Sequence, residues 1–211
     1  MAGLRAVVFD YGMVLTGSPD PEARAALLRL TGLSDEQFER LYWIDRPAYD
    51  TGELPGLAFW RKLVSDANLA LGDETIHELN RLDALMWTTE NPAMLAWQRQ
   101  LKAQGLRTAI LSNMGDSVLE SVERNFTWIH GFDVLVWSFQ TGLAKPDPAI
   151  YRILLDRLGV PAEETLFLDD KQENIDAARA LGMNALVFTS IDQLRADLAA
   201  NGYAGQLPLP A

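Results

Sequence analysis

The 211-residue chain contains no cysteine, which excludes a disulfide framework, a thiolate nucleophile and any cysteine metal site. It has only two histidines, His77 and His130, too few for a histidine-rich zinc site and hard to fit to a Ser-His-Asp triad. No stretch approaches the ~20 apolar residues that span a bilayer, and the first residues lack a charged-then-apolar leader. A soluble, cytoplasmic protein is expected. Basic residues are in deficit: 18 Lys and Arg against 29 Asp and Glu, a formal charge of −11. That balance argues against nucleic acid and anionic membranes as partners. What is present is a globular mixture, 48% apolar and 22% charged, long enough for one large domain or a core with an inserted smaller one.

Ala6 to Phe9 is a short apolar run bounded by a charge and then a glycine, as a buried parallel strand reads, although a run this short could also be core helix. Asp10 would then stand at its carboxyl end, although an ordinary turn or cap aspartate reads the same way. From Thr16 to Glu90 there is no strand-like alternation. Pro21 opens one helix that Thr31-Gly32 stops, and Ser34 with Gln37 has capping-box spacing ahead of Phe38, Leu41 and Tyr42. Further helical runs cover roughly 55–68 and 73–88, with a helix break at Asp45-Arg46-Pro47. From Asn91 onward strands and helices alternate. Strands are expected at 108–113, 132–136, 165–168 and 185–188, and helices begin at Pro92, Asp116 and Pro148, with two more after Asp170 and from Ile191. The tail 206–211 reads as extended and weakly ordered. Short connections between alternating elements imply a doubly wound α/β core with a parallel, Rossmann-like sheet. The expected division is a core of 1–16 and 89–211, interrupted by an all-helical cap of 17–88.

In such a sheet the strand ends share one edge, where ligands collect. Strand one ends in Asp10, strand two in Ser112-Asn113, and strand four in Asp169-Asp170; Lys145 follows strand three. Carboxylates gathered at one spot repel each other unless a cation sits among them. An oxygen-only donor set points to Mg²⁺, which accepts one or two carboxylates plus waters and a substrate phosphate. Ser112 and Asn113 offer neutral donors to phosphate oxygens. Aspartate is also an established covalent nucleophile.

These stretches resemble the four motifs of the haloacid dehalogenase superfamily: Asp10-Tyr11-Gly12-Met13-Val14-Leu15, Leu111-Ser112-Asn113, Lys145-Pro146, and Leu168-Asp169-Asp170 with Asn174. The resemblance implies a phosphatase-like hydrolase acting on a small phosphorylated molecule, as a monomer or homodimer. It implies that Asp10 is nucleophile and metal ligand, that Asp170 and the Gly12 carbonyl complete the Mg²⁺ site, and that Ser112, Asn113 and Lys145 bind the phosphoryl group. Asp169 and Asn174 would support them from behind. Phosphatases of the superfamily usually carry a second aspartate, a general acid, two residues after the nucleophile. Here that position is Gly12. Three explanations are open: a leaving group needing little protonation, such as the anomeric oxygen of a hexose 1-phosphate, which is favoured; a proton from water or the cap; or lost activity. A 2-haloacid dehalogenase using the same aspartate and a non-catalytic phosphate-binding protein are the alternatives. In the cap, Trp43, Arg46 and Tyr49 could touch a substrate, yet Trp43 reads more readily as core and Arg46 as a surface charge. Trp60, Trp87 and Trp97 fall on apolar helix faces, and the two histidines read as structural or solvated.

Overall fold

Ala6, Val7, Val8 and Phe9 are all inaccessible to solvent, because the strand they form, β1 (Ala6–Phe9), runs through the middle of the sheet. The computed structural model describes residues 3–210. Five helices follow β1: α1 (Pro21–Thr31), α2 (Asp35–Ile44), α3 (Arg46–Asp50), α4 (Gly56–Asp66) and α5 (Asp73–Met86). The chain then alternates through α6 (Pro92–Ala103), β2 (Arg107–Ser112), α7 (Asp116–Asn125), β3 (Val134–Trp137), the short α8 (Ser138–Thr141) and α9 (Pro148–Leu158). It ends with β4 (Thr165–Asp169), α10 (Gln172–Ala180), β5 (Asn184–Val187) and α11 (Ile191–Ala200). The five strands are parallel in the order β3-β2-β1-β4-β5. Phe9 is level with Ile110 on one side and Leu168 on the other, so Asp10, Ser112 and Asp169 leave the sheet at the same edge.

Alternation along β1 divides the core. Val7 and Phe9 pack with Met94, Trp97 and Leu101 of α6, Val118 and Val122 of α7, and Leu194 and Leu198 of α11. Ala6 and Val8 face the other way, onto Ile150, Leu154 and Leu158 of α9 and Ile175 and Ala178 of α10. Helices therefore cover both faces, and the fold is a doubly wound α/β sheet of Rossmann-like type. A third core, built from Leu27, Phe38, Tyr42, Phe59, Trp60, Leu79 and neighbours, belongs to α1–α5 alone. The chain leaves and re-enters the sheet domain side by side. Thr16 bridges Glu90, and the Gly17 N–H donates to the Thr89 carbonyl at 2.8 Å.

Local chemistry sets the helix ends. Asp20 accepts from the Glu22 and Ala23 amides, Ser34 and Gln37 form a reciprocal capping box, and Asp147 accepts from Ala149; such caps are each worth about 1 kcal/mol. The helical segment seats on the sheet domain through α5 against α7 and through Gly56, whose N–H donates to Asp116 Oδ1 at 3.0 Å. Gly115, before α7, lies against the Tyr49 ring, where any Cβ would collide with it.

Two expectations change. Strand three starts at Val134 instead of Phe132, because the Asp133 carboxylate turns back to accept from the Thr108 N–H at 2.8 Å. The tail is docked, not weakly ordered: Leu207 is buried, the Pro208 carbonyl accepts from Trp97 Nε1 at 2.6 Å, and the Pro210 carbonyl from Arg195 Nε at 2.7 Å. Ala211, the last residue of that expectation, lies outside the described residues. Among the described residues no helix is long and apolar enough to cross a membrane.

Candidate active site

Asp10 follows β1 directly, and its backbone N–H donates to the Leu168 carbonyl at 2.8 Å. Its carboxylate is anchored through one oxygen. Oδ1 accepts from the Tyr11 N–H at 2.7 Å and lies 2.8 Å from Lys145 Nζ. Oδ2 has no hydrogen-bond partner among the described residues, and Asp10 lines a cavity of about 540 Å³. The loop after it is tight. Thr16 N–H returns to the Tyr11 carbonyl at 3.0 Å, and Met13 takes φ 60°, ψ −6°. A non-glycine residue there costs roughly 1–2 kcal/mol, a strain that the surrounding buried Tyr11, Val14 and Leu15 hold in place.

Behind Asp10 sits a fully buried pair. Lys145 Nζ donates to Asp169 Oδ2 at 2.6 Å while also facing Asp10. Asp169 accepts further from Asn174 Nδ2 at 2.9 and 3.0 Å and from the Lys171 N–H at 2.8 Å. Its oxygens are occupied, and it has no exposure. Asp170, one residue on, is half-exposed and lines the cavity. Carboxylate oxygens of Asp10, Asp169 and Asp170 all lie within 4.8 Å of one another. With one ammonium bonded among three carboxylates, the four side chains carry a formal charge of −2.

The titration behaviour follows. Burial pushes the Asp10 carboxyl up to about 6; Lys145 pulls it down, and the charges of Asp169 and Asp170 add to the rise. Asp170 is raised as well, chiefly by burial and then by Asp169. Burial alone would lower the Lys145 ammonium, but Asp10 and Asp169 outweigh it and the net direction is upward. Surplus negative charge at close range is what a hard cation relieves. The donors present fit Mg²⁺.

Ser112, at the end of β2, is buried and lines the cavity with no partner for its hydroxyl among the described residues. Asn113 also lines it, but its amide is engaged at both ends: Nδ2 donates to the Lys145 carbonyl at 2.9 Å, and Oδ1 accepts from the Lys145 N–H at 2.8 Å. Gly12 and Asn174 complete the predicted set on the same cavity. The structure thus brings Asp10, Gly12, Ser112, Asn113, Lys145, Asp170 and Asn174 to one wall, with Asp169 immediately behind.

The opposite wall comes from the helical segment, and here two sequence readings are overturned. Trp43 is not core: it is 47% exposed, and it lines the cavity. Arg46 is not a surface charge: it is 6% exposed, with Nε donating to Asp50 at 2.9 Å and Nη1 to the Tyr42 hydroxyl, 3.6 Å from Asp83. Its guanidinium carbon lies 4.9 Å from the Tyr49 ring centre, 5.0 Å from Tyr42, and 5.8 Å from both Trp43 and Trp87. Tyr49 itself is buried and does not line the cavity. Trp87 does, half-buried between the core of α1–α5 and the sheet core. Sequence reasoning missed Met114 and Val118, which also line it; a glycine-terminated turn after Asn113 was the available signal. His77 and His130 are both exposed, and neither lines the cavity.

The family model of haloacid dehalogenase-like hydrolases matches residues 4–182. The chain belongs to this family. Phosphatase MT3486 of Mycobacterium tuberculosis is 31% identical over 198 residues, 91% of this chain and 90% of the relative. Among solved structures, the HAD family enzyme BT-2542 of Bacteroides thetaiotaomicron, crystallised with magnesium and inorganic phosphate, superposes with a TM-score of 0.73 at 20% identity, covering 89% of this chain and 95% of its own. L-2-haloacid dehalogenase RSc1362 superposes at 0.66 with 26% identity, covering 87% and 86%. This haloacid dehalogenase-like hydrolase therefore has both phosphatases and dehalogenases among its similar proteins.

Proposed function

We propose that the chain is a Mg²⁺-dependent phosphatase that hydrolyses a small phosphate monoester through an aspartyl-phosphate on Asp10. The observation that carries this reading is the pairing of an unpartnered Asp10 Oδ2 in the cavity with two further carboxylates, Asp169 and Asp170, all three having oxygens within 4.8 Å of one another. Asp10 Oδ2 attacks phosphorus, the P–O bond to the alcohol breaks, and the alcohol oxygen leaves with the electron pair. Water then attacks the acyl phosphate, releasing inorganic phosphate and restoring the carboxylate. Asp10, Asp170 and the Gly12 carbonyl would hold Mg²⁺, as suits a cation that takes few protein carboxylates. Bound there, the ion neutralises phosphate charge that would otherwise repel the nucleophile. Ser112 Oγ and Lys145 Nζ, both on the cavity wall, would donate to the phosphoryl oxygens. Asn113, through its two bonds to the Lys145 backbone, positions that ammonium. Residues 17–88 act as a cap that excludes water and shapes the leaving-group side of the cavity.

The relatives support a phosphatase through MT3486 and a magnesium-and-phosphate site through BT-2542. The dehalogenase reading rests on RSc1362, but a metal-free displacement gains nothing from a third carboxylate at Asp170. A hexose 1-phosphate is a substrate of the right size. The cap wall gives its hydroxyls few partners, since Arg46 is already bonded to Asp50 and the Tyr42 hydroxyl.

Phosphate release from a panel of monoesters, with Mg²⁺ and with a chelator, tests the reading. Activity that needs the metal and disappears in Asp10→Asn is the expected result. Chloride release from 2-chloropropionate without metal would overturn it, and silence in both assays would favour a phosphate-binding role.

A further inference from the structure

The position two residues after Asp10 is open. Gly12 has φ −66° and ψ 138°, which any residue adopts, and a Cβ built there meets nothing within 4 Å. Sterics therefore do not explain the missing acid. Three other lining groups that could give up a proton are already bonded. The Tyr11 hydroxyl donates to the Trp87 carbonyl at 2.8 Å, Asp50 accepts from Arg46, and Lys145 is bonded to two carboxylates. Lys171, exposed beside Asp170, is the one ammonium of the lining outside that cluster.

The walls have a second property. Tyr11, Met13, Trp43, Trp87, Met114 and Val118 make the lining largely apolar and aromatic. Arg46, the one cation of the cap wall, has two acidic neighbours, Asp50 at 2.9 Å and Asp83 at 3.6 Å, so that wall offers no surplus positive charge to a second anionic group. About 540 Å³ suits a ligand of one or two rings besides the phosphate.

We infer that the preferred substrates are aryl phosphates without a second anionic group, whose ring rests against Trp43 and Trp87 and whose phenolic oxygen leaves without a protein proton donor. The inference rests on the phosphatase reading above and names its substrate class. The P–O bond to the ring breaks as Asp10 Oδ2 bonds to phosphorus. The aryl oxide leaves with the electron pair and takes its proton from water. A phenol is far more acidic than an aliphatic alcohol, so the step proceeds with the general acid absent. A missing acid costs about 10²–10⁴ in rate where the leaving group is poor. An aromatic moiety stacked on indole rings gains contact that a hexose does not.

The experiment compares kcat/KM, with Mg²⁺, for 1-naphthyl phosphate, substituted phenyl phosphates, hexyl phosphate, a prenyl phosphate, glucose 1-phosphate and acetyl phosphate. The aryl esters should exceed hexyl phosphate by roughly 100-fold or more, and glucose 1-phosphate, whose anomeric oxygen needs less protonation, by a smaller factor; rates across the phenyl series should fall steeply as the phenol becomes less acidic. Gly12→Asp should flatten that dependence and raise hexyl phosphate turnover. Trp43→Ala should raise KM for 1-naphthyl phosphate and lower its preference over acetyl phosphate about tenfold. Prenyl, hexyl or glucose phosphates hydrolysed as fast as the aryl esters would overturn the substrate class while leaving the phosphatase reading intact. A dependence that steepens in Lys171→Met would overturn it too, by assigning the proton to Lys171. No phosphate released from any ester, acetyl phosphate included, would sink both readings.

Discussion

Lys145 Nζ stands 2.8 Å from Asp10 Oδ1, and the same ammonium reaches Asp169 Oδ2 at 2.6 Å from the other side. One buried cation thus holds Asp10, the proposed nucleophile, and neutralises the carboxylate behind it. Removing it strands both. Lys145→Met should destabilise the metal-free protein by about 3–5 kcal/mol, the cost of an uncompensated buried charge, and abolish hydrolysis. Adding Asp169→Asn should recover part of the stability and none of the activity. Urea unfolding of the single and double variants measures the coupling, and additive losses would show that the two groups do not share a charge.

Burial raises the Asp10 carboxyl from its ordinary 3.8 to about 6, so the folded chain holds this proton more tightly than the unfolded one. Its contribution to stability is complete below the ordinary value and is lost as pH climbs through about 6. At ~1.4 kcal/mol per unit, metal-free protein should lose about 3 kcal/mol relative to Asp10→Asn across that window. Added Mg²⁺, which favours the ionised carboxylate, should shrink the loss. Thermal unfolding against pH, with chelator and with Mg²⁺, measures it; a constant difference between the two proteins would place the proton elsewhere.

Asn113 grips the Lys145 backbone from both directions. Asn113→Ala should cost about 1–3 kcal/mol by leaving that N–H and carbonyl unmade, and kcat should fall more than KM rises as Lys145 drifts. Asn113→Asp keeps the acceptor and loses the donor, and should fall between wild type and alanine. Equal activity in all three would remove Asn113 from the positioning of Lys145.

Among the described residues Arg46 is the sole cation beside Asp83, whose carboxyl burial pushes upward. Arg46→Met should destabilise by about 3–5 kcal/mol. Arg46→Lys should recover little, because one ammonium cannot reach Asp50 and the Tyr42 hydroxyl with a fork's geometry. If Asp83→Asn in the Arg46→Met background restores no stability, the cost arises from packing against the aromatic rings.

At Gly115, where the cap approaches the sheet domain, Gly115→Ala should force Tyr49 away. Raised KM with an increased rate of proteolysis between residues 17 and 88 is the expected signature of a displaced cap. Unchanged kinetics would mean the contact is not needed for closure.

The sheet and its edge were legible because their signals are local. The apolar runs at Ala6–Phe9 and Thr165–Leu168, each leading into an acidic residue, read as buried strands once helices are seen to alternate with them, and parallel strands carry their carboxyl ends to one side. That alone gathers Asp10, Ser112 and Asp170. The cap's helices were legible through capping at Asp20 and Ser34. The cap's inner wall was not, because a step of one residue along a helix, about 100°, separates a core position from a cavity position. Tyr42 is buried in the cap and Trp43, the next residue, faces the cavity. Arg46 could be read as buried only by knowing that Asp50 and Asp83 stand beside it.

By itself, the sequence determined which strand ends carry acidic and hydroxyl groups, the absence of cysteine and scarcity of histidine, and a glycine at position 12 where the family pattern has an acid. These are properties of residue identity and short-range pattern. Only the tertiary structure decided that Asn113 holds Lys145, that Lys145 is shared by two carboxylates, and that the cavity before Gly12 is walled by Trp43 and Trp87. Those depend on contacts between segments tens of residues apart, whose distances are set by how the cap and the sheet pack together and not by either alone.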